Sequence, residues 1–155
     1  MSLDFLTLDD VETAGKRVFL RVDINSPIDP ATKRIIDDAR IKAVAPTLRD
    51  LEGAGVVIGA HQSRPGKYDF TSLEPHVRVL QMYVDRPVRF VDDVIGPKAL
   101  RAIEEVKPGE ILVLDNLRFC KEENRKAPPE ELVKTELVQR PPLRPRRERR
   151  LRGRP

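Results

Sequence analysis

Apolar positions along this chain fall into short continuous runs that alternate with stretches of helical spacing. Residues 1–16 form a lead-in, with Leu3, Phe5, Leu6 and Leu8 available to pack and Gly15 closing it. Val18-Phe-Leu-Arg-Val22 reads as a first strand. Beyond Asp38 a helix is predicted, because Ile41, Val44, Ala45, Leu48 and Leu51 recur on one face. Pro46 should disturb its middle, and Gly53 and Gly55 should end it. Val56-Val-Ile-Gly-Ala60 is a second strand, and its unbroken apolar run suits a sheet buried on both faces. Leu73 to Tyr83 has helical spacing, with Val77, Leu80 and Val84 inward. Val88 to Val91 is a third strand, and Gly96 to Val106 a helix with Ala99, Leu100 and Ile103 inward. Lys107-Pro-Gly109 stops that helix before a fourth strand, Ile111-Leu-Val-Leu114. A last helix is expected over 129–139, with Leu132, Val133, Glu136 and Leu137 on adjacent turns. Strands alternating with helices imply an α/β domain with a parallel sheet and right-handed crossovers.

The polar residues that follow the strands carry the candidate chemistry. The first strand runs into Asp23, Asn25, Ser26 and Pro27, and a turn at Asp29-Pro30 precedes the helix that opens at Asp37-Asp38 with Arg40 in its first turn. The second strand is followed at once by His61-Gln-Ser-Arg64-Pro-Gly66, and the fourth by Asp115-Asn-Leu-Arg118-Phe119, then Glu122 and Glu123. In a parallel sheet these loops project from one edge, where ligands of such folds sit. Asp23 and Asn25 can grip hydroxyls, whereas Arg40, Arg64 and Arg118 suit an anion, since guanidinium binds phosphate and carboxylate bidentately and stays charged. A small phosphorylated acid fits that set. Plainer readings stand beside it. Asp, Asn and Pro are ordinary turn formers, a single Arg is usually a surface cation, and His61 could be a buried histidine that fixes its loop. His76 falls on a helix and has no assigned role. Cys120 reads as a packing residue, because no His or second Cys accompanies it.

Composition narrows the classes. A chain of 155 residues has room for about one domain. Its apolar content of 39% supports a core, and no run approaches the roughly 20 apolar residues of a membrane span. The N-terminus has no basic start and apolar stretch of a secretory signal. One cysteine allows no intrachain disulfide, which fits a reducing, cytoplasmic location. Neither Cys nor His clusters at metal-ligand spacing, and there is no Gly-rich phosphate loop or dinucleotide fingerprint. The net charge of +4 is uneven: residues 140–155 hold eight Arg and one Glu, leaving 1–139 at −3. An anion site therefore stands without a nucleotide site.

Four motifs occur in order: Gly15-Lys-Arg-Val-Phe-Leu-Arg-Val-Asp-Ile-Asn-Ser-Pro27, Asp37-Asp-Ala-Arg-Ile-Lys-Ala-Val-Ala-Pro-Thr47, His61-Gln-Ser-Arg-Pro-Gly66 and Asp115-Asn-Leu-Arg-Phe119. Together with Ser72-Leu-Glu-Pro75 and Val91-Asp-Asp-Val-Ile-Gly96, they resemble the N-terminal domain of phosphoglycerate kinase over residues 10–139. The family commonly has His-Leu-Gly-Arg where this chain has His61-Gln-Ser-Arg64, and Glu where Asp115 stands. The resemblance implies an α/β, parallel-sheet, Rossmann-like three-layer αβα domain, the incomplete N-terminal domain of a two-domain kinase. It implies reversible phosphoryl transfer between 1,3-bisphosphoglycerate and ADP in glycolysis, by a monomer. Asp23 and Asn25 would hold the hydroxyl side of 3-phosphoglycerate. His61, Arg64 and Arg118 would belong to the basic patch around its phosphate, and catalytic Arg40 would lie nearest the carboxyl group and the phosphoryl in flight. Mg-ATP or Mg-ADP would be bound by the C-terminal domain, which lies outside these residues along with a further site arginine.

Residues 140–155 (Arg-Pro-Pro-Leu-Arg-Pro-Arg-Arg-Glu-Arg-Arg-Leu-Arg-Gly-Arg-Pro) contain no Lys, whereas 1–139 contain nine Lys and twelve Arg. Such bias is typical of GC-rich DNA read out of frame, so a frameshift is expected, with a native disordered tail as its competitor. The chain alone is expected to bind 3-phosphoglycerate without transferring phosphate. The rival class is a nucleic-acid-binding module acting through the Arg tail. The tail's lack of aromatics and the acidic body count against it, and no specific nucleic-acid partner is expected.

Overall fold

The computed structural model describes residues 6–126, together with 128 and 131. Four strands form one parallel sheet in the order β1-β2-β4-β3: β1 (Arg17–Arg21), β2 (Gly55–Gly59), β3 (Val88–Val91) and β4 (Ile111–Leu114). Between them run α1 (Ala39–Asp50), α2 (Glu74–Leu80) and α3 (Pro97–Glu105). The expected helix over 129–139 lies outside the described residues, apart from Glu131, which is helical.

The two-residue period of a strand explains the layers. Val56 and Ile58 of β2, with Ile111 and Val113 of β4, pack against Ile41, Val44, Ala45 and Leu48 of α1 and Val77 and Leu80 of α2. Val57, Leu112 and Leu114, on the opposite face, meet Ala99 and Ile103 of α3 and Val106 just beyond it. The central strands β2 and β4 are buried along their whole length, hence their continuous apolar runs. At Gly55 a side chain would come within 2.9 Å of the Lys107 carbonyl oxygen, so that close strand–loop approach needs a glycine.

Several expectations need correction. The helix survives Pro46: α1 runs unbroken through it, because the carbonyl left without an N–H partner belongs to exposed Lys42, while buried Ile41, Val44, Ala45 and Leu48 hold the helix down. Gly53 and Gly55 do not cap it, since α1 ends at Asp50 and Gly55 already opens β2. Leu6 and Leu8 are exposed and do not pack. Leu8 opens a short 3-10 turn over Leu8–Asp10 fixed by Asp10, whose carboxylate accepts from the Thr7 N–H and hydroxyl at 2.8 Å each. Leu100 is half-buried and outside both core clusters, with Val106 inward instead. The helix predicted to Tyr83 ends at Leu80 and continues as a 3-10 turn over Gln81–Tyr83.

Half-buried Arg86 and buried His76 are two polar residues with distinct places in this framework. The Arg86 guanidinium closes the C-terminus of α1: Nη2 donates to the Leu48 carbonyl at 2.6 Å, and Nη1 reaches those of Leu51, Glu52 and Ala54 at 3.1–3.3 Å. A helix end leaves its last carbonyls unpaired, and a cation there also meets the negative end of the helix dipole. His76 of α2 is fully buried; its Nε2 lies 2.9 Å from Gln62 Oε1, and among the described residues its Nδ1 has no hydrogen-bond partner. Burial pushes its pKa down to about 4, so the ring is neutral in the fold.

Two outcomes are expected. Arg86→Ala should lower stability by about 2–3 kcal/mol, read as a reduced urea midpoint at unchanged slope, with Arg86→Lys recovering only part. The second concerns acid. Unfolded His76 takes up a proton near its ordinary 6.5, whereas the folded ring stays neutral down to about 4. Its contribution to stability is therefore complete above about 6.5 and is lost as pH falls toward 4. His76→Phe should flatten that part of the stability–pH curve.

Candidate functional site

Three strand ends meet at one edge of the sheet. After β1 the chain continues beside β2, with the Val22 N–H on the Gly59 carbonyl, and then turns through Asp23 and Asn25. Asp23 Oδ1 accepts the Asn25 N–H at 3.1 Å, and Oδ2 accepts Arg40 Nη1 at 2.6 Å from the start of α1. Burial would raise the Asp23 pKa, but the Asn25 N–H, the Arg40 guanidinium and His61 together hold it below the usual carboxylate value. Both side chains of the Asp23–Arg40 pair are more than half exposed, at 60% and 57%. Such a pair contributes little to stability and leaves Arg40 able to take another anion.

The loop after β2 is the junction. Ser63 adopts a left-handed backbone, φ 57°, which costs a residue with a Cβ about 1 kcal/mol or more. Its N–H donates to Asn25 Oδ1 at 2.8 Å, its hydroxyl to Asp69 Oδ1 at 2.5 Å, and its carbonyl accepts Arg118 Nη1. One residue thus joins the loops that follow β1, β2 and β4. His61, half-buried, has a lowered pKa, because burial and then the Arg118 charge outweigh the opposite pull of Asp23 and Glu123. Arg64 is exposed on the same loop, with no side-chain hydrogen bond or ion pair among the described residues. The structure links Asp23 to Arg40 directly, and Asn25 to Arg118 through Ser63. His61 lies within the electrostatic reach of Asp23 and Arg118, and Arg64 is placed only by its loop.

Much of the supporting geometry has no counterpart in the sequence reading. Buried Asn116 donates from Nδ2 to the carbonyls of Gln62 and Thr71 at 2.8 and 2.9 Å, while its Oδ1 accepts the Arg118 N–H at 3.1 Å. Asp115, also buried, accepts the N–H groups of Leu73 and Asn116 through Oδ1. Arg21, on the last residue of β1, pairs with Glu123, and both add to the field at His61. The sequence signal for Asp115 and Asn116 is their position just past the end of β4. Cys120 packs with Leu117 and Val94 beside a cavity of about 240 Å³ lined by Asp92, Asp93 and Asp115. Burial and neighbouring acids push its thiol up to about 11, which disfavours the reactive thiolate. Among the described residues, no group of three His, Cys, Asp or Glu side chains could hold a metal ion, and no helix is long and apolar enough to cross a membrane.

A family model described as phosphoglycerate kinase matches residues 8–140. Phosphoglycerate kinase from Methanocorpusculum labreanum is 49% identical over 138 residues, covering 89% of this chain and 34% of its own length. Its counterpart from Saccharolobus solfataricus is 50% identical over 136 residues, 86% of this chain and 33% of its own. The crystal structure of phosphoglycerate kinase from Pyrococcus horikoshii superposes with a TM-score of 0.83 at 46% identity, over 88% of this chain and 34% of that one. The Coxiella burnetii enzyme gives 0.65 at 29% identity, over 87% and 33%. The chain spans about a third of the length of these relatives. With its fold and motifs, this places the chain in the phosphoglycerate kinase family.

Proposed function

We propose that residues 1–139 are the substrate-binding N-terminal domain of a phosphoglycerate kinase, and that the strand-end site holds 3-phosphoglycerate or 1,3-bisphosphoglycerate. The observation that carries this reading is the tie through Ser63, which brings Asn25 and Arg118 from separate loops to one place while Arg40 and Arg64 stay exposed nearby. Asp23 and Asn25 supply acceptors for the hydroxyl side of the acid. His61, Arg64 and Arg118 surround its phosphate. Arg40 exchanges the Asp23 carboxylate for the substrate's carboxyl end, where negative charge spreads during transfer. Phosphoryl transfer needs positioning and charge neutralisation more than covalent help, and guanidinium supplies both without giving up a proton.

On this reading Mg-ATP or Mg-ADP is held elsewhere, because the strand-end loops of the described residues carry no Gly-rich phosphate cradle. In the complete enzyme the nucleotide belongs to a second domain, and the reading for this chain is binding without turnover.

Calorimetric titration of the purified chain with 3-phosphoglycerate should give measurable binding. Arg40→Ala should weaken it about tenfold or more without lowering the thermal midpoint, and removal of residues 140–155 should leave it unchanged. Unaltered affinity in Arg40→Ala would remove Arg40 from the site. Supplied with Mg-ATP and 3-phosphoglycerate, the chain should form no bisphosphoglycerate above background, and ATP-dependent product would overturn the division of labour.

A further inference from the structure

A buried polar cluster that the substrate reading leaves unused joins the loop after β2 to α2. Gln62 and His76 are both fully buried, the first immediately behind His61, the second on α2. The Gln62 amide grips the backbone of Ser26 from both sides: Oε1 accepts the Ser26 N–H, and Nε2 donates to the Ser26 carbonyl, each at 2.9 Å. His76 Nε2 reaches the same Oε1 at 2.9 Å. An amide oxygen can only accept, so His76 carries its proton on Nε2. Nδ1 is then a buried acceptor without a partner among the described residues. A core that needed only volume at position 76 would place an apolar residue there and avoid that cost.

The cost is balanced by direction. An amide can turn by half a rotation and exchange its oxygen for its nitrogen. With the nitrogen in that place, it would oppose both the Ser26 N–H and the His76 N–H. His76 therefore reinforces the one orientation in which Ser26 is held, and Ser26 is the neighbour of Asn25. The β1 and β2 loops are cross-linked twice, by Asn25 onto Ser63 from above and by Gln62 onto Ser26 from below.

We propose that the buried Gln62–His76 pair is a positioning device for the anion site, locking Asp23 and Asn25 at a fixed distance from His61, Arg64 and Arg118. This rests on the 3-phosphoglycerate reading for its ligand, and Gln62 and His76 themselves touch no substrate.

The test uses the full chain, with 3-phosphoglycerate as titrant and amide hydrogen exchange as a readout that needs no ligand. His76→Phe keeps the volume and removes the donor, and Gln62→Leu removes both bonds to Ser26. Each should speed exchange at the Ser26 and Ser63 N–H groups and weaken binding about five- to tenfold. The double variant should bind no more weakly than Gln62→Leu, because His76 acts only through Gln62. His76→Gln, which retains an N–H donor, should recover most of the affinity. A purely structural role would lower the thermal midpoint and leave the folded protein's affinity at the wild-type value. That result, or unchanged exchange at Ser26 and Ser63, overturns the proposal. If Gln62→Leu does not fold, His76→Phe against His76→Gln decides. If the wild-type chain binds nothing, the substrate reading fails, and the exchange rates alone decide whether the pair fixes the loops.

Discussion

The backbone of Ser63 is the point on which the site depends. A parallel sheet delivers the ends of β1, β2 and β4 to one edge, but it does not fix the loops beyond them. Here the fixing is done by a left-handed serine whose N–H, hydroxyl and carbonyl each answer a different segment. The conformation is unfavourable for a residue with a side chain, yet it turns the N–H toward Asn25 and the carbonyl toward Arg118. Three hydrogen bonds of about 1 kcal/mol each are enough to offset the strain. A glycine would relieve the backbone and lose the hydroxyl contact to Asp69, so the serine exchanges conformational ease for one more tie.

The cations are held in different ways, which bears on what they can do. Arg118 is braced by the Ser63 carbonyl and by Asn116 behind its own N–H, so it is fixed before any ligand arrives. Arg40 is held by a single exposed carboxylate, and Arg64 by nothing among the described side chains. Fixed cations define where an anion sits, and loosely paired ones can follow charge as it moves. An acid carrying phosphate at one end and carboxylate at the other would meet both kinds.

How much of this could be read from the sequence follows from range. Val56-Val-Ile and Ile111-Leu-Val-Leu114 declare buried strands because burial on both faces leaves no polar positions. That Asp23, Asn25, Arg40, His61 and Arg118 lie at one edge of the sheet was legible because a parallel sheet turns position along a strand into position in space. Gln62 was not, since its partners Ser26 and His76 lie 36 and 14 residues away and no local pattern encodes them. Arg86 was missed for the same reason: it caps a helix that ended more than thirty residues earlier. Pro46 misled in the opposite direction, because a local rule yields where the freed carbonyl faces water and the rest of the helix is buried.

Charge shows why a total misleads. Residues 1–139 carry a net −3, and still Arg21, Arg40, Arg64 and Arg118 gather at one edge of the sheet. The balancing acids sit either beside individual arginines, as Asp23 and Glu123 do, or away on other surfaces. The cations at that edge therefore stand on a body whose net charge is negative. The lowered pKa of His61 belongs to the same field. Burial and the neighbouring guanidinium both favour the neutral ring, against the opposite pull of Asp23 and Glu123.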